Sequence, residues 1–446
     1  MSPAGSGRTD TDGIGLLDAV AIQVGLIVGG ALFGLVGVGV ALAGSGIVAS
    51  FTIAIGIAVL GLVPTAMMGA AAPTTCGHYR YPARYLSPGL AFLGAWGLGV
   101  SMFAGGLPLY ALTAGEYLTE LTPGSPAVVG LAILALFFGL NLFGIRLAAK
   151  VQLLMFIGMI GALGAFVGFG LVSIDGANLS PPFAAGVGGV LAGAGVLYFT
   201  CLGANFVIDI GGDVREATVT IPRSFAVSIP LVFALYVLVG LVAVGTVGVD
   251  AMAGETLFVA AELFLSPELQ TLFVVGGATF AVATSLNAAY ILVPRYVEAL
   301  ADDGIFPASL GATNDRYGTR HWALLATFVL SGLVMLAPLP FEDLGTLLGL
   351  GGAFVVTVLM LATLRVLRDP PPEIDLDAFP VSTRLVYWMA AAAVPLNLLL
   401  ILLLATQAPW LFAGWAGLLA VGYAYYRLRM SYHGGADTSP PEHTGL

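Results

Sequence analysis

Asn205 and Asp209 stand four residues apart in the run LAGAGVLYFTCLGANFVIDIGGDVREATVTIPR, residues 191–223. At that spacing two side chains share one helix face. Asp209 lies inside an apolar run, and an intramembrane carboxylate is costly enough that it tends to mark an ion or proton path. Gly203 and Ala204 precede the pair, and small residues weaken a helix. A helix broken in lipid is tolerated only where it lines a cavity or is buried in protein. The segment therefore suits a binding site at mid-membrane depth. It equally suits a Gly-softened helix with a packed polar pair.

A second small-residue run, Val28-Gly29-Gly30-Ala31-Leu32-Phe33, follows Gln23, Gly25 and Ile27. If the helix opens there, free N–H groups and the helix dipole attract a carboxylate. Carbonyls freed near Phe199, Leu202 and Gly203 offer the matching place for an ammonium group. Together the two breaks meet the demand of a zwitterion, whose two charges must each find oriented dipoles on leaving water. Close helix packing through glycines is the alternative for either run. Thr284 and Ser285 add adjacent hydroxyls that suit a cation or, as is common in membrane helices, a neighbouring carbonyl. Gln23, Tyr110, Asn141 and Asn287 read as interhelical hydrogen bonds rather than ligands.

The elements that must position these groups are membrane spans. Hydrophobic residues make up 59% of the 446, charged residues 9%, and the mean hydropathy is +0.99, a balance that excludes a soluble domain. Apolar runs of bilayer length recur near 19–44, 49–72, 90–117, 126–145, 150–173, 186–210, 223–247, 267–296, 321–338, 344–367, 382–405 and 409–428. These twelve spans predict an all-α polytopic membrane protein. With both termini cytoplasmic, all 15 basic residues fall on the inner side: Arg8, Arg80, Arg84, Arg146, Lys150, Arg215, Arg223, Arg295, Arg316, Arg320, Arg365, Arg368, Arg384, Arg427 and Arg429. The outer loops hold acids such as Asp175, Asp250 and Glu255. Basic residues kept to one side set orientation.

The net charge of −10 belongs to loops and tails. Two cysteines, Cys76 and Cys201, and four histidines provide neither a disulfide framework nor a metal spacing. Without paired carboxylates or a Gly-x-x-x-x-Gly-Lys loop, catalysis and ATP-driven pumping are not expected. No cofactor, metal or nucleic acid is expected.

Several motifs share an order. Pro73-Thr74-Thr75-Cys76-Gly77-His78-Tyr79-Arg80-Tyr81 follows the second span. Leu140-Asn141-Leu142-Phe143-Gly144-Ile145-Arg146, with Gln152 beyond, joins the fourth and fifth. Gly203 and Pro222-Arg223 frame the sixth, and Ser285, Asn287-Ala288, Arg295, Asp303-Gly304 and Pro307 mark the eighth. In these motifs the chain resembles the amino acid–polyamine–organocation (APC) superfamily of transporters, amino acid permease type, over about residues 14–370. It departs from the pattern at Ala31, Cys76, Ala204-Asn205, Gly212-Asp213 and Glu216-Ala217.

The resemblance implies a leucine-transporter-type core of 5+5 inverted repeats, with the first and sixth helices broken opposite each other. The expected layout is a disordered tail over 1–13, repeats over 14–173 and 174–368, a cytoplasmic linker over 369–381, two further helices over 382–428 and a disordered tail over 429–446. A short outer helix is expected within 250–268. The implied substrate site is Ile27, Gly29, Gly30, Ala31, Phe199, Leu202, Gly203 and Asn205, with Phe199 where members often place an aromatic gate. Thr284 and Ser285 stand where sodium-coupled relatives bind the ion, and Met159 where some members place a Lys. Asp209 is the proton candidate. The implied activity is secondary active transport of amino acids or related amines across the cell membrane. The choice between Na+ and H+ coupling, the oligomeric state, and a sensor or channel on the same fold are left open.

Overall fold

The computed structural model describes residues 13–433 except Thr122, Asp315, Pro338, Asp377 and Ala378. Most of both expected tails, 1–12 and 434–446, lies outside the described residues, as do the side chains of Ala31, Phe199 and Leu202.

Among the described residues the named elements are all helices. The first half runs α1 (Leu16–Ala43), α2 (Ile47–Ala71), α3 (Gly77–Tyr85), α4 (Pro88–Ser101), α5 (Leu107–Leu121), α6 (Pro126–Leu142) and α7 (Ile145–Leu171). The second runs α8 (Gly186–Tyr198), a 3-10 segment (Phe199–Asp209), α9 (Ala217–Val247), the short α10 (Val249–Met252) and α11 (Leu257–Phe264), then α12 (Pro267–Leu272), α13 (Phe280–Asp302), α14 (Ala308–Gly311), α15 (His321–Met335) and α16 (Phe341–Arg368). It closes with α17 (Thr383–Gln407) and α18 (Pro409–His433).

Among the described residues, eight helical stretches are long and apolar enough to cross a membrane, and shorter apolar helices lie at Leu16–Gly30, Pro126–Leu142 and His321–Met335. Large apolar side chains such as Leu136, Leu154, Ile157, Leu333, Leu402 and Val421 face outward. In water such a surface would drive association, and in lipid it is the natural solvent face. The chain is a multi-pass membrane protein.

Helix interruptions mark its core. Inside α1, Gly29 departs from helical geometry at φ −27°, ψ −161°. After Tyr198 the sixth span tightens into eleven residues of 3-10 helix. Runs beyond three or four residues are uncommon in that geometry, and a mid-helix stretch is a frequent hinge. Two π turns, Met102–Gly106 and Phe273–Thr279, each contain a Gly-Gly pair and join α4 to α5 and α12 to α13. α1 packs against α8, the 3-10 segment, α9 and α13.

Buried amides tie the surrounding helices together. Asn141 Nδ2 donates to Asn287 Oδ1 at 3.0 Å, Asn287 Nδ2 to Gln152 Oε1 at 3.0 Å, and Gln152 Nε2 to the Ala21 carbonyl at 3.3 Å. Each amide meets a partner, as burial requires.

At the C-terminal end the structure extends a few residues past the expected helix, and at the N-terminal end main-chain bonding begins at residue 14. Ile14 is already anchored: its N–H bonds the Asp213 carbonyl at 2.8 Å, and its own carbonyl receives the Arg215 N–H at 3.0 Å. α18 continues to His433 instead of ending near 428, where Tyr425 and Arg429 donate to the carbonyls of Ile305 and Gly304. Those bonds hold a polar last turn that the hydropathy alone does not support. The amphipathic stretch at 250–268 is split between α10, α11 and the start of α12 rather than forming one helix. Gly254 N–H in this stretch donates to the Gly37 carbonyl at 2.9 Å, capping the far half of α1.

Candidate functional site

The break at Gly29 and the 3-10 segment meet backbone to backbone. A Cβ added at Gly203 would lie 2.4 Å from the Leu26 carbonyl oxygen, and one at Gly29 would collide with Ser285 Oγ. Only glycine permits either approach. Sequence-predicted Ile27, Gly29, Gly203 and Asn205 are thereby brought into one buried or nearly buried neighbourhood. Gly30 faces a different way, toward Val282 and Thr113. The gating role expected of Phe199 and the roles of Ala31 and Leu202 concern side chains outside the described residues.

Side chains that hydropathy does not single out satisfy the loosened carbonyls. The Tyr236 hydroxyl, from α9, donates to the Ile27 carbonyl at 2.7 Å and lies 3.3 Å from that of Thr200. Gln23 Nε2 reaches the Ala204 carbonyl at 3.4 Å, while Ser228 donates to Gln23 Oε1 at 3.1 Å. One aromatic hydroxyl and one amide thus span the two interruptions, where unmet polar groups would be expensive. Tyr236 and Ser228 were not legible as site residues, because a lone Tyr or Ser in an apolar span carries no pattern.

Thr284 and Ser285 bond carbonyls, the second of the two uses open to them. Ser285 Oγ donates to the Gly25 carbonyl at 2.7 Å; Thr284 Oγ1 lies 2.7 Å from the Ala281 carbonyl and 3.3 Å from that of Gly25. Two hydroxyls and two carbonyls converge between α1 and α13, an oxygen set whose chemistry fits a hard cation. An ion entering it would replace these hydrogen bonds.

Asp209 ends the 3-10 segment and is completely buried. Its sequence context shows no cationic neighbour, yet the structure supplies His78 from the α2–α3 junction. His78 main-chain N–H meets Oδ1 at 2.9 Å, its Nδ1 faces Oδ2 at 2.9 Å, and the Tyr296 hydroxyl donates to Oδ2 at 2.7 Å. The partner is 131 residues away in the chain, beyond the reach of any local pattern.

The backbone explains how His78 arrives there. Cys76 adopts φ +57°, a left-handed conformation that favours Gly, and the turn lets residues 74–76 pair with 209–212. Cys76 N–H donates to the Asp209 carbonyl at 2.9 Å and Gly212 N–H to that of Thr74 at 3.2 Å. A polar cavity of about 260 Å³ lies alongside, lined by Thr75, Cys76, Arg80, Asp213, Arg295 and Glu298 among others. Three ion pairs surround it. Arg295 holds Asp213, Arg320 Nε meets Glu298 at 2.5 Å, and Arg80 approaches Asp302 at 3.8 Å. Burial, and next the Asp209 charge, push the Cys76 thiol well above its ordinary range.

Comparison with known proteins agrees with this architecture. The family model described as amino acid permease matches residues 14–424. An uncharacterized transporter of Mycobacterium tuberculosis is 29% identical over 312 residues, covering 68% of this chain and 69% of the relative. A branched-chain amino acid permease of Bacillus subtilis is 24% identical over 390 residues, covering 81% and 82%. The vacuolar cationic amino acid transporter 2 of Arabidopsis thaliana is 28% identical over 386 residues, covering 79% and 59%. With Gly203 of the 3-10 segment set against the Leu26–Ile27 main chain just ahead of the α1 break, in a multi-pass helical chain matched along nearly its whole length, the chain belongs to the amino acid permease family of the APC superfamily.

Proposed function

We propose that this chain is a secondary active transporter of amino acids or related amines, working by alternating access. The observation that carries the reading is the contact of the Gly29 break with the 3-10 segment at Gly203, bridged by Tyr236. The substrate carboxylate is met by main-chain N–H groups at Gly29, Gly30 and Ala31, and its ammonium by carbonyls near Phe199, Leu202 and Gly203. Ile27 and Asn205 shape the pocket. Since both halves of the contact carry dipoles and no formal charge, a neutral zwitterion fits better than a strongly cationic side chain.

An inverted 5+5 repeat within twelve spans is the architecture proposed. Its support is the order of irregularities, which recurs in the two halves. A break in the first span answers the 3-10 segment in the sixth, α3 after the second span answers α10 and α11 after the seventh, and the π turn of the third answers that of the eighth. The repeats cover 14–173 and 174–368, followed by the linker 369–381 and two outer helices. We place both termini in the cytoplasm of a cell-membrane protein, on the strength of its basic residues. Coupling has two candidate seats, the Thr284–Ser285 oxygen cluster for sodium and the buried site around Asp209 for a proton.

Purified protein in sealed liposomes, offered labelled amino acids under imposed sodium or proton gradients, tests this reading. Saturable accumulation is expected. Flux linear in concentration would make it a channel, and tight binding without flux a sensor.

A further inference from the structure

The His78–Asp209 pair has one position left to fill. The Asp209 carboxylate accepts from the His78 main-chain N–H and the Tyr296 hydroxyl and faces His78 Nδ1 at 2.9 Å; with the carboxylate ionised, Nδ1 carries the proton of that contact. The other ring nitrogen, Nε2, is buried with no hydrogen-bond partner. A buried polar atom left so is costly and calls for a reason. Without a proton on Nε2 the pair carries one net negative charge in a completely buried site; with one it is an imidazolium–carboxylate pair, neutral overall. Neutrality is what a low-dielectric site favours.

The other charged and titratable groups near the pair are already matched or neutral. From the α2–α3 junction come Cys76, Tyr81 and Arg80, the last facing Asp302. From α13 come Tyr296, Arg295 and Glu298, of which Arg295 holds Asp213 and Glu298 meets Arg320. Phe206 lies against the imidazole, ring centroids 5.0 Å apart. Cys76 joins the pair to the polar cavity, lining that space while its N–H holds the Asp209 carbonyl.

We infer that His78 is the proton-binding residue of this chain, with Asp209 as its fixed counter-charge. A hydronium ion reaching the site from the adjoining cavity gives its proton to Nε2, forming one N–H bond and leaving water; release reverses the step. Tyr296 ties the same carboxylate to α13, so loading changes the charge at the seam between α13 and the exit of the sixth span. That consequence for transport rests on the reading above. Proton binding itself does not.

Two measurements test it. In a full-length variant carrying His321→Gln, His433→Gln and His443→Gln, purified without a polyhistidine tag, His78 is the single histidine. Its ¹⁵N ring signals are expected to report a proton gained at Nε2 as the pH is lowered across the range in which the protein stays folded. One unchanging protonation state across that range would overturn the assignment. In liposomes, proton-driven accumulation, at most about tenfold per pH unit for one proton, is expected to vanish in His78→Gln and Asp209→Asn protein that elutes as a single folded species. Accumulation retained by both variants would also overturn it. Titration of His78 in a protein that moves no amino acid would instead sink the transport reading and leave the proton site standing.

Discussion

The hydroxyl of Tyr236 reaches the carbonyl of Ile27 at 2.7 Å, joining α9 to the turn just ahead of the α1 break. The bond is buried and spans 209 residues of chain. It meets a carbonyl two residues ahead of the non-helical Gly29.

Tyr236→Phe keeps the ring packing on Phe51 and deletes only that donor. Leaving a buried acceptor unmet costs about 1–3 kcal/mol. Thermal unfolding of the purified protein is expected to fall accordingly, and amino acid uptake to drop with it. An unchanged melting temperature would show that the carbonyl needs no protein partner.

Gly203→Ala drives a methyl into the Leu26 carbonyl, main chain against main chain, where neither side yields cheaply. Overpacking of this kind costs about 1–3 kcal/mol. Uptake is expected to be lost, whereas Gly164→Ala, with nothing within 4 Å of the new methyl, serves as the silent control. Side-by-side uptake assays at matched expression decide between them.

Arg295→Gln and Arg80→Gln separate a buried ion pair from an exposed one. Arg295 is 4% exposed and Asp213 16%, whereas Arg80 and Asp302 are 37% and 60% exposed and 3.8 Å apart. Breaking the first is expected to cost about 3–5 kcal/mol. Breaking the second should cost no more than about 1 kcal/mol. Unfolding midpoints of the two variants, measured in the same detergent, give the comparison.

Ser285→Ala removes the shorter of the two hydroxyl contacts on the Gly25 carbonyl. The expected stability loss is about 0.5–1.5 kcal/mol. Should sodium be the coupling ion, its concentration for half-maximal uptake rises as well; a cluster that only bonds the helices together leaves it unmoved.

Cys76 offers a chemical check on the α2–α3 junction. Its thiol is buried and held in the neutral form, first by that burial and then by the Asp209 charge. Only a thiolate attacks alkylating reagents. In Cys201→Ala protein, alkylation near neutral pH is therefore expected to be slow when folded and fast in denaturant. Rapid labelling of the folded protein would show that the junction opens.

Part of this arrangement was legible in the residues. Gly29 and Gly203 announced the interruptions because glycine is both a weak helix former and the only residue that lets two backbones touch. Asn141 and Asn287 announced a helix contact because a buried amide must find a partner. The hydropathy pattern announced a multi-pass helical membrane protein but not the character of the segment 199–209. Phe199–Asp209 tightens into 3-10 geometry where a plain break was expected, and propensity alone does not distinguish the two. His78 was read as part of an inner loop. Its burial depends on Cys76 turning through a left-handed conformation, so three-dimensional closure, and not local pattern, delivers it to Asp209.

The strap at Ile14 works through main-chain atoms on both sides, donating to Asp213 and accepting from Arg215. Its two bonds use no side-chain atom, although Ile14 itself is buried in the core. A proline at either 14 or 215 would cut one of its two strands, for want of a hydrogen on nitrogen. The exit of the sixth span would then keep one bond to residue 14 beside its two main-chain bonds to Thr74 and Cys76.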